Sequence, residues 1–378
     1  MAAIAAGASP TRRYLRNFNW VLAVGCVLVT ALGIVAIMSA DLHAPGATRE
    51  FQKQILYGIA GLGLMLLLSN VDYRLWQRWA PALYVVNLLL LLLILVHGHQ
   101  SHGAQRWITL GPLGTFQPSE PAKLFLAIAL AYVLCRGDYH RWQDLWKPLA
   151  AVAVPALFIL KQPDLGTTLV VLAILSAQLF FALPNLKVFA GYCIGVAGMA
   201  AITVGTKLVL KPFQKARLLV FLNPKADPQG AGYNLNQSKI AVGSGEWFGR
   251  GLHHGTQTQL DFVPEHSRDF IFTVIGEELG FVGGLLLVAL YGAILYGGIR
   301  TMLAARDRFG FLLATGIVAM LTFHIVVNIG MTVGIMPITG IPLPFMSYGG
   351  SAILTNFAAV GVLLNIYLQR DRDVLGNA

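Results

Sequence analysis

Apolar runs long enough to cross a bilayer recur along this chain, and they constrain its fold more than any other feature. A spanning helix needs about 20 apolar residues, within roughly 17–25. On that ruler spans fall near 17–40, 53–71, 80–97, 119–135, 147–162, 164–183, 186–205, 269–299, 310–336 and 350–369. With 56% apolar and only 12% charged residues, the chain lies far from the roughly 25% charge of soluble domains. Backbone groups in lipid must find partners within the protein, which leaves helices or closed barrels, and runs of this length select helices. The expected fold is an all-α polytopic membrane protein of about ten transmembrane helices, forming a single transmembrane domain over 1–378. The first run, Asn17 to Ala40, exceeds a signal-peptide core and no A-x-A-like cleavage site follows it, so it is read as the first span. Prolines break the pattern at a tight hairpin, Lys161 to Asp164, and at a turn, Pro184 and Asn185.

An even number of spans puts both termini on one side, and basic residues choose the side. With the termini cytoplasmic, the inner segments hold fourteen lysines and arginines and the short outer segments five, the asymmetry that the positive-inside rule requires. The stretch from about 206 to 268 is the exception, with eight further basic residues. It is too long for a plain connection and lacks low-complexity runs, so it is expected to be a folded extracytoplasmic segment with short, partly amphipathic helices. The net charge of +10 is dispersed among loops, where orientation and contact with anionic headgroups account for it; nucleic acid is excluded as a partner. Cys26, Cys135 and Cys193 lie far apart in or beside apolar segments, as packing residues do, without metal or disulfide spacing.

Polar clusters sit in the outer segments. Arg106-Trp107-Ile108 precedes Phe116 to Lys123, in which Ser119 suits an N-cap and Pro121 the first helical turn. Glu120 and Lys123, three apart, then share a face; they serve either a charged substrate group or a capped helix start with a snorkelling lysine. Lys161 and Asp164 share the outer surface of the hairpin, where an interfacial turn with a capping Asp would also account for them. The densest segment runs from Gly255 to Gly280 and includes Gln257, Glu265 and Asp269. Asp269 stands where the long segment becomes a span, within reach of water, and a first-turn position favours a carboxylate; it is the best candidate for a base. Glu277 and Glu278 lie deeper and need partners inside the bundle, which points to a structural role. The Pro- and Gly-rich segment Asn328 to Ser351 is equally a cavity wall or packing. His324 and Asn328 are read as interhelical hydrogen-bonders rather than ligands. No Gly-rich phosphate loop, HExxH pattern or G-x-S-x-G elbow occurs. Four polar clusters from non-adjacent spans on one face point to one extracytoplasmic site for an amphipathic substrate.

The blocks RWI with QPSEPAK, KQPDLGT, NPKADPQGAGYNLNQSKIAVGSG, GTQTQL, PEHSRDFIF with GEELG, and NIGMTVGIMPITGIPLPFMSYGGS occur in this order. Through them nearly the whole chain resembles the SEDS family (shape, elongation, division and sporulation) of bacterial cell-wall proteins. KQPDLGT with NIGM and TGIPLP is more similar to its elongation branch than to its division branch. The resemblance implies an inner-membrane peptidoglycan glycosyltransferase that polymerises lipid II beside a class B penicillin-binding protein. It places the family's essential aspartate on Asp269. The family commonly has His-Thr just before that aspartate, where this chain has Ser267 and Arg268 with His266 one place earlier.

The implied chemistry gives Asp269 the proton of the acceptor sugar hydroxyl as it attacks the lipid-linked donor, with inversion and departure of undecaprenyl pyrophosphate. Lys123, Arg106, Arg217 or a divalent cation (Mg or Mn) could receive the pyrophosphate, and the sequence leaves that choice open; no organic cofactor is implied. Ser119, Glu120, Lys161, Asp164, Gln257 and Glu265 complete the candidate substrate-binding set. The rival from another class is a lipid II flippase, for which coupling groups near the midplane would be expected.

Overall fold

The computed structural model describes residues 16–370 except 41–46, 98, 102–103, 110, 112–114, 206–211, 224–226 and 228–229. Its long helices are α1 (Trp20–Ala40), α2 (Ala47–Ser69), α3 (Tyr73–His97), α4 (Ser119–Arg136), α5 (Trp146–Lys161), α6 (Leu165–Ala182) and α7 (Leu186–Gly205). The shorter α8 (Pro212–Leu222), α9 (Ala231–Ser244), α10 (Thr256–Gln259) and α11 (Ile271–Glu278) follow, then the long α12 (Gly280–Leu303), α13 (Arg308–Val333) and α14 (Gly350–Leu368). A small antiparallel sheet of β1 (His99–Ser101), β2 (Ala104–Thr109) and β3 (Thr115–Phe116) links α3 to α4. The fold is that of an all-α polytopic membrane protein: nine helices among the described residues are long and apolar enough to cross a bilayer.

The tenth expected span, α4, has the length but carries Glu120, Lys123 and Arg136. Its position reconciles those charges with the bilayer. Alanines and leucines around its whole circumference are buried, as are most residues of α13 and α14, so these three helices form the protein interior and the others shield them. The outer helices turn Leu56, Ile59, Leu89, Leu157, Ile194 and Leu285 outward, the apolar surface that lipid-facing helices need.

The expected continuous span over 269–299 is broken instead. Gly280 adopts φ +65° between α11 and α12, a conformation that a side chain disfavours. Residues 246–251 wedge into the break and satisfy its backbone: Phe281 N and Val282 N donate to the carbonyls of Glu246 and Trp247 at 2.8 and 3.1 Å, while Arg250 N and Gly251 N donate to those of Glu277 and Glu278, both at 3.0 Å. Apolar runs lie on both sides of Glu277 and Glu278 with no proline between them, which is why hydropathy joins the two helices across the break. The long segment after α7 does contain the expected short helices, α8, α9 and α10.

Candidate functional site

One end of the bundle collects the ionisable groups, and the hairpin between α5 and α6 is its fixed point. Asp164 caps α6, accepting from Thr167 N at 3.1 Å and Thr167 Oγ1 at 2.9 Å. Arg106 on β2 reaches the hairpin, donating to the Gln162 carbonyl at 3.0 Å and to the Pro163 carbonyl, with Asp164 3.8 Å away. Gln214 on α8 also donates to the Pro163 carbonyl, at 3.0 Å. Arg217, three residues on, shares that helix face and is thereby held over the same spot.

Opposite these cations stands Asp269, in the turn before α11. Gly340 lies between: at φ +70°, a Cβ there would sit 3.2 Å from both Arg217 Nη1 and Asp269 Oδ2, so the missing side chain is what lets the two groups converge. Burial pushes the Asp269 carboxyl up to about 6, opposed by Arg217, reinforced by Glu265 and opposed again by Arg268 and Arg106. Burial likewise lowers Arg217, and Asp269 acts against that. No salt bridge or side-chain hydrogen bond occupies the Asp269 carboxylate among the described residues. A carboxyl poised near neutrality, unengaged and facing guanidinium groups is suited to accept a proton and then work beside an anion.

Behind this face lies a second ionic group. Lys123, almost fully buried in α4, donates to Glu120 Oε1 at 2.8 Å and to His324 Nε2 of α13 at 3.0 Å. Ser119 is the first helical residue rather than the N-cap: Pro118 takes that place and its ring has no hydrogen-bonding group, while the Ser119 hydroxyl accepts from Gln117 Nε2 at 2.9 Å. Gln117 Nε2 also lies 3.4 Å from Asp164 Oδ2, so Ser119 belongs to the hairpin network.

The structure thus gathers Asp269, Arg217, Arg106, Asp164 and Glu265 in one neighbourhood, with Glu120, Lys123 and Ser119 packed behind. Two candidates fall elsewhere. Lys161 is exposed at the end of α5 and makes no ion pair among the described residues; the helix phase that turns Gln162 to Asp164 inward turns it out. Gln257 is drawn away by Glu277, whose carboxylate accepts from Gln257 N at 2.8 Å, Thr258 N at 3.0 Å and Thr258 Oγ1 at 2.6 Å. Glu277 therefore has a structural role, as expected, though its partners come from the α10 turn and not from the bundle. Glu278 likewise accepts from Ser39 Oγ at 2.7 Å. Glu265 pairs with Arg268 at 3.2 Å, and Arg268 lies 3.4 Å from Glu50.

A protein-held divalent cation does not fit these residues. Among the described residues no three His, Cys, Asp or Glu side chains come together as a ligand set, and guanidinium groups flank Asp269, whereas hard cations take several oxygen donors.

Sequence reading missed the backbone support of Asp269. Three consecutive carbonyls of its turn are held by the segment after α13 and by α13 itself: Ser267 by Tyr348 N at 2.9 Å, Arg268 by Ser347 Oγ at 2.6 Å, and Asp269 by Asn328 Nδ2 at 2.8 Å. The Pro- and Gly-rich run that carries Ser347 was the only signal available for it.

Fold and site define a polytopic membrane protein with a cluster of acidic and basic side chains at one end of its helical bundle. The family model described as cell cycle protein, that of the FtsW, RodA and SpoVE proteins, matches residues 19–372. Peptidoglycan glycosyltransferase MrdB of Escherichia coli (strain K12) is 39% identical over 82% of this chain and 83% of its own length. A probable peptidoglycan glycosyltransferase FtsW of Trichlorobacter lovleyi is 37% identical over 93% of each chain. Among solved structures, a chain described under structural coordination of polymerization and crosslinking by a peptidoglycan synthase complex superposes with a TM-score of 0.81 at 33% identity, covering 94% of this chain and 99% of that one. The chain belongs to the SEDS family, on its RodA-like side, and is a membrane glycosyltransferase.

Proposed function

We propose that this protein polymerises lipid II into peptidoglycan glycan strands at the outer face of the bacterial inner membrane, during cell elongation. The observation that carries the reading is the Asp269 carboxylate, raised to about 6 and without a salt bridge among the described residues, opposite Arg217 and Arg106. Asp269 accepts the proton of the acceptor sugar hydroxyl as the oxygen attacks the anomeric carbon; the bond to the leaving undecaprenyl pyrophosphate breaks with inversion. Of the cations left open by the sequence, Arg217 and Arg106 are the ones facing Asp269 and receive the pyrophosphate charge. Lys123 is engaged behind them with Glu120 and His324. Among the described residues no carboxylate and histidine set gathers to hold Mg or Mn.

The basic-residue count supports an outer-facing site, because it leaves this end of the bundle away from the Arg-rich segments. Similarity to a chain from a peptidoglycan synthase complex supports a class B penicillin-binding protein as partner, crosslinking the strands made here. KQPDLGT with TGIPLP, which resemble the elongation branch, support the elongation role. A flippase would carry its coupling groups near mid-bilayer; here they cluster at one end.

Purified protein with its crosslinking partner, given labelled lipid II, tests the reading. Wild type forms glycan chains and Asp269→Asn does not. Normal polymerisation by the variant would remove Asp269 as base, and lipid movement across vesicles without chain formation by either protein would establish the flippase instead.

A further inference from the structure

Asn328 is fully buried in α13, and both hydrogens of its amide are used on backbone carbonyls: Asp269 O at 2.8 Å and Ile341 O at 2.8 Å. The amide orientation follows from chemistry, since both partners only accept and a flipped group would set oxygen against oxygen. Its Oδ1 finds no partner among the described residues, an unmet acceptor that costs free energy in an interior. An asparagine used only for packing would not be held in this way; here the donors govern.

One helical turn earlier, on the same face of α13, His324 is buried between a donor and an acceptor. Its Nδ1 lies 3.0 Å from the Pro342 carbonyl and its Nε2 3.0 Å from the Lys123 ammonium. A carbonyl only accepts and an ammonium only donates, so Nδ1 carries the proton and Nε2 the lone pair. The two side chains thus hold adjacent carbonyls, Ile341 and Pro342, of the segment containing Gly340, where Arg217 and Asp269 converge. Asn328 also reaches the carbonyl of Asp269 itself.

We infer that Asn328 and His324 form a two-rung clamp on α13 that positions Asp269, with His324 linking the buried Glu120–Lys123 pair to the same backbone. Both are positioning residues: neither side chain contacts the carboxylate, and each acts through the main chain that aims it. The inference rests on the reading of Asp269 as the base. A placement error of about 1 Å costs on the order of 10²-fold in rate, so releasing one rung is expected to act on turnover rather than on substrate affinity.

The experiment uses full-length protein with its partner and lipid II, and records kcat, KM and melting temperature for each variant. Asn328→Ala is expected to lower kcat by about 10- to 100-fold with KM within about twofold, while Asn87→Leu leaves both constants unchanged. Asn87 is the control because it is equally buried in a span and its amide has no partner among the described residues. His324→Asn keeps a donor near Nδ1, and His324→Gln keeps only an acceptor near Nε2; kcat is expected to survive better in the Asn variant. Ser347→Ala, which releases the Arg268 carbonyl and the Leu343 N–H that Ser347 Oγ accepts at 2.8 Å, carries the same kcat-specific expectation should Asn328→Ala not fold. Wild-type kcat in Asn328→Ala, or in Ser347→Ala where that substitutes for it, overturns the clamp, as does a loss confined to KM or melting temperature. Equal activity of the two His324 variants overturns the His324 rung. If Asp269→Asn polymerises normally, the assignment of the base has failed instead; if Asp269→Asn is inactive and Asn328→Ala normal, only the clamp has failed.

Discussion

The two ends of the bundle each hold an aspartate beside arginine, and they use it differently. At the end opposite the site, Asp307 caps α13 through Gly310 N at 2.7 Å, accepts from the Tyr73 hydroxyl and lies 3.8 Å from Arg74. Nearby, Asn365 joins Tyr73 N to the Ser69 carbonyl at 2.9 and 2.8 Å, and Asn19 joins α1 to Gly297 at 2.9 Å. Every such group is consumed in tying helix ends together. At the site end the ties go to the backbone of the Asp269 turn, and among the described residues no salt bridge or side-chain hydrogen bond takes its carboxylate. Acidic residues at helix ends are therefore not equivalent: a carboxylate whose lone pairs are filled holds structure, and one held only through its main chain is available for chemistry.

The contrast is broken most sharply by matched substitutions. Asp269→Asn is expected to reduce polymerisation by about 10² to 10⁴-fold with little change in melting temperature, measured as chains formed from labelled lipid II. Similar losses of activity from Asp269→Asn and Asp307→Asn would show that the two ends do not differ.

Lys123→Met tests the group behind the site. It leaves Glu120 buried without its cation, and breaking a buried pair costs about 3–5 kcal/mol. The expected outcome is a clear fall in melting temperature together with lost activity; an unchanged melting temperature would place Lys123 at a solvated surface instead.

The pH dependence sharpens the account of Asp269. A general base must be ionised, and a carboxyl pushed up to about 6 makes kcat rise as pH passes upward through that value. Arg217 opposes the upward shift and Glu265 reinforces it. Arg217→Gln should therefore move the midpoint to higher pH and Glu265→Gln to lower pH. Opposite movements would show that other charges set the ionisation. The smallest effect is expected at the far end: Asp307→Asn keeps a cap, since asparagine caps as well as aspartate, and loses the charge on the bond from Tyr73, about 1–2 kcal/mol of stability, with kcat per folded molecule unchanged.

Much of the fold was legible in the sequence because bilayer thickness sets a length that hydropathy can measure in one dimension. The long apolar helices follow that ruler, and α4 does so despite three charges. Asp269 was legible too, since its place at the end of the long segment and the PEHSRDFIF block both point to it. Lys161 was misplaced because a hairpin's residues share a neighbourhood in sequence while helix phase decides which of them turn inward. Gln257 was misplaced because a distant carboxylate, Glu277, claims its turn. The break at Gly280 was hidden because residues 246–251 supply the backbone partners that a span normally finds within itself.

The sequence by itself determined that this chain crosses a membrane many times, that its polar blocks belong to the SEDS family, and that Asp269 is the acid to watch. These are properties of composition, length and local order. Only the tertiary structure decided that Arg217 faces Asp269 across Gly340, that Lys123 is engaged behind them, and that Asn328 and His324 hold the main-chain carbonyls of Asp269, Ile341 and Pro342. Those facts depend on donors meeting carbonyls dozens of residues away. Every residue carries the same carbonyl, so the pattern of side chains along the chain gives no sign of which one a buried amide or imidazole will find.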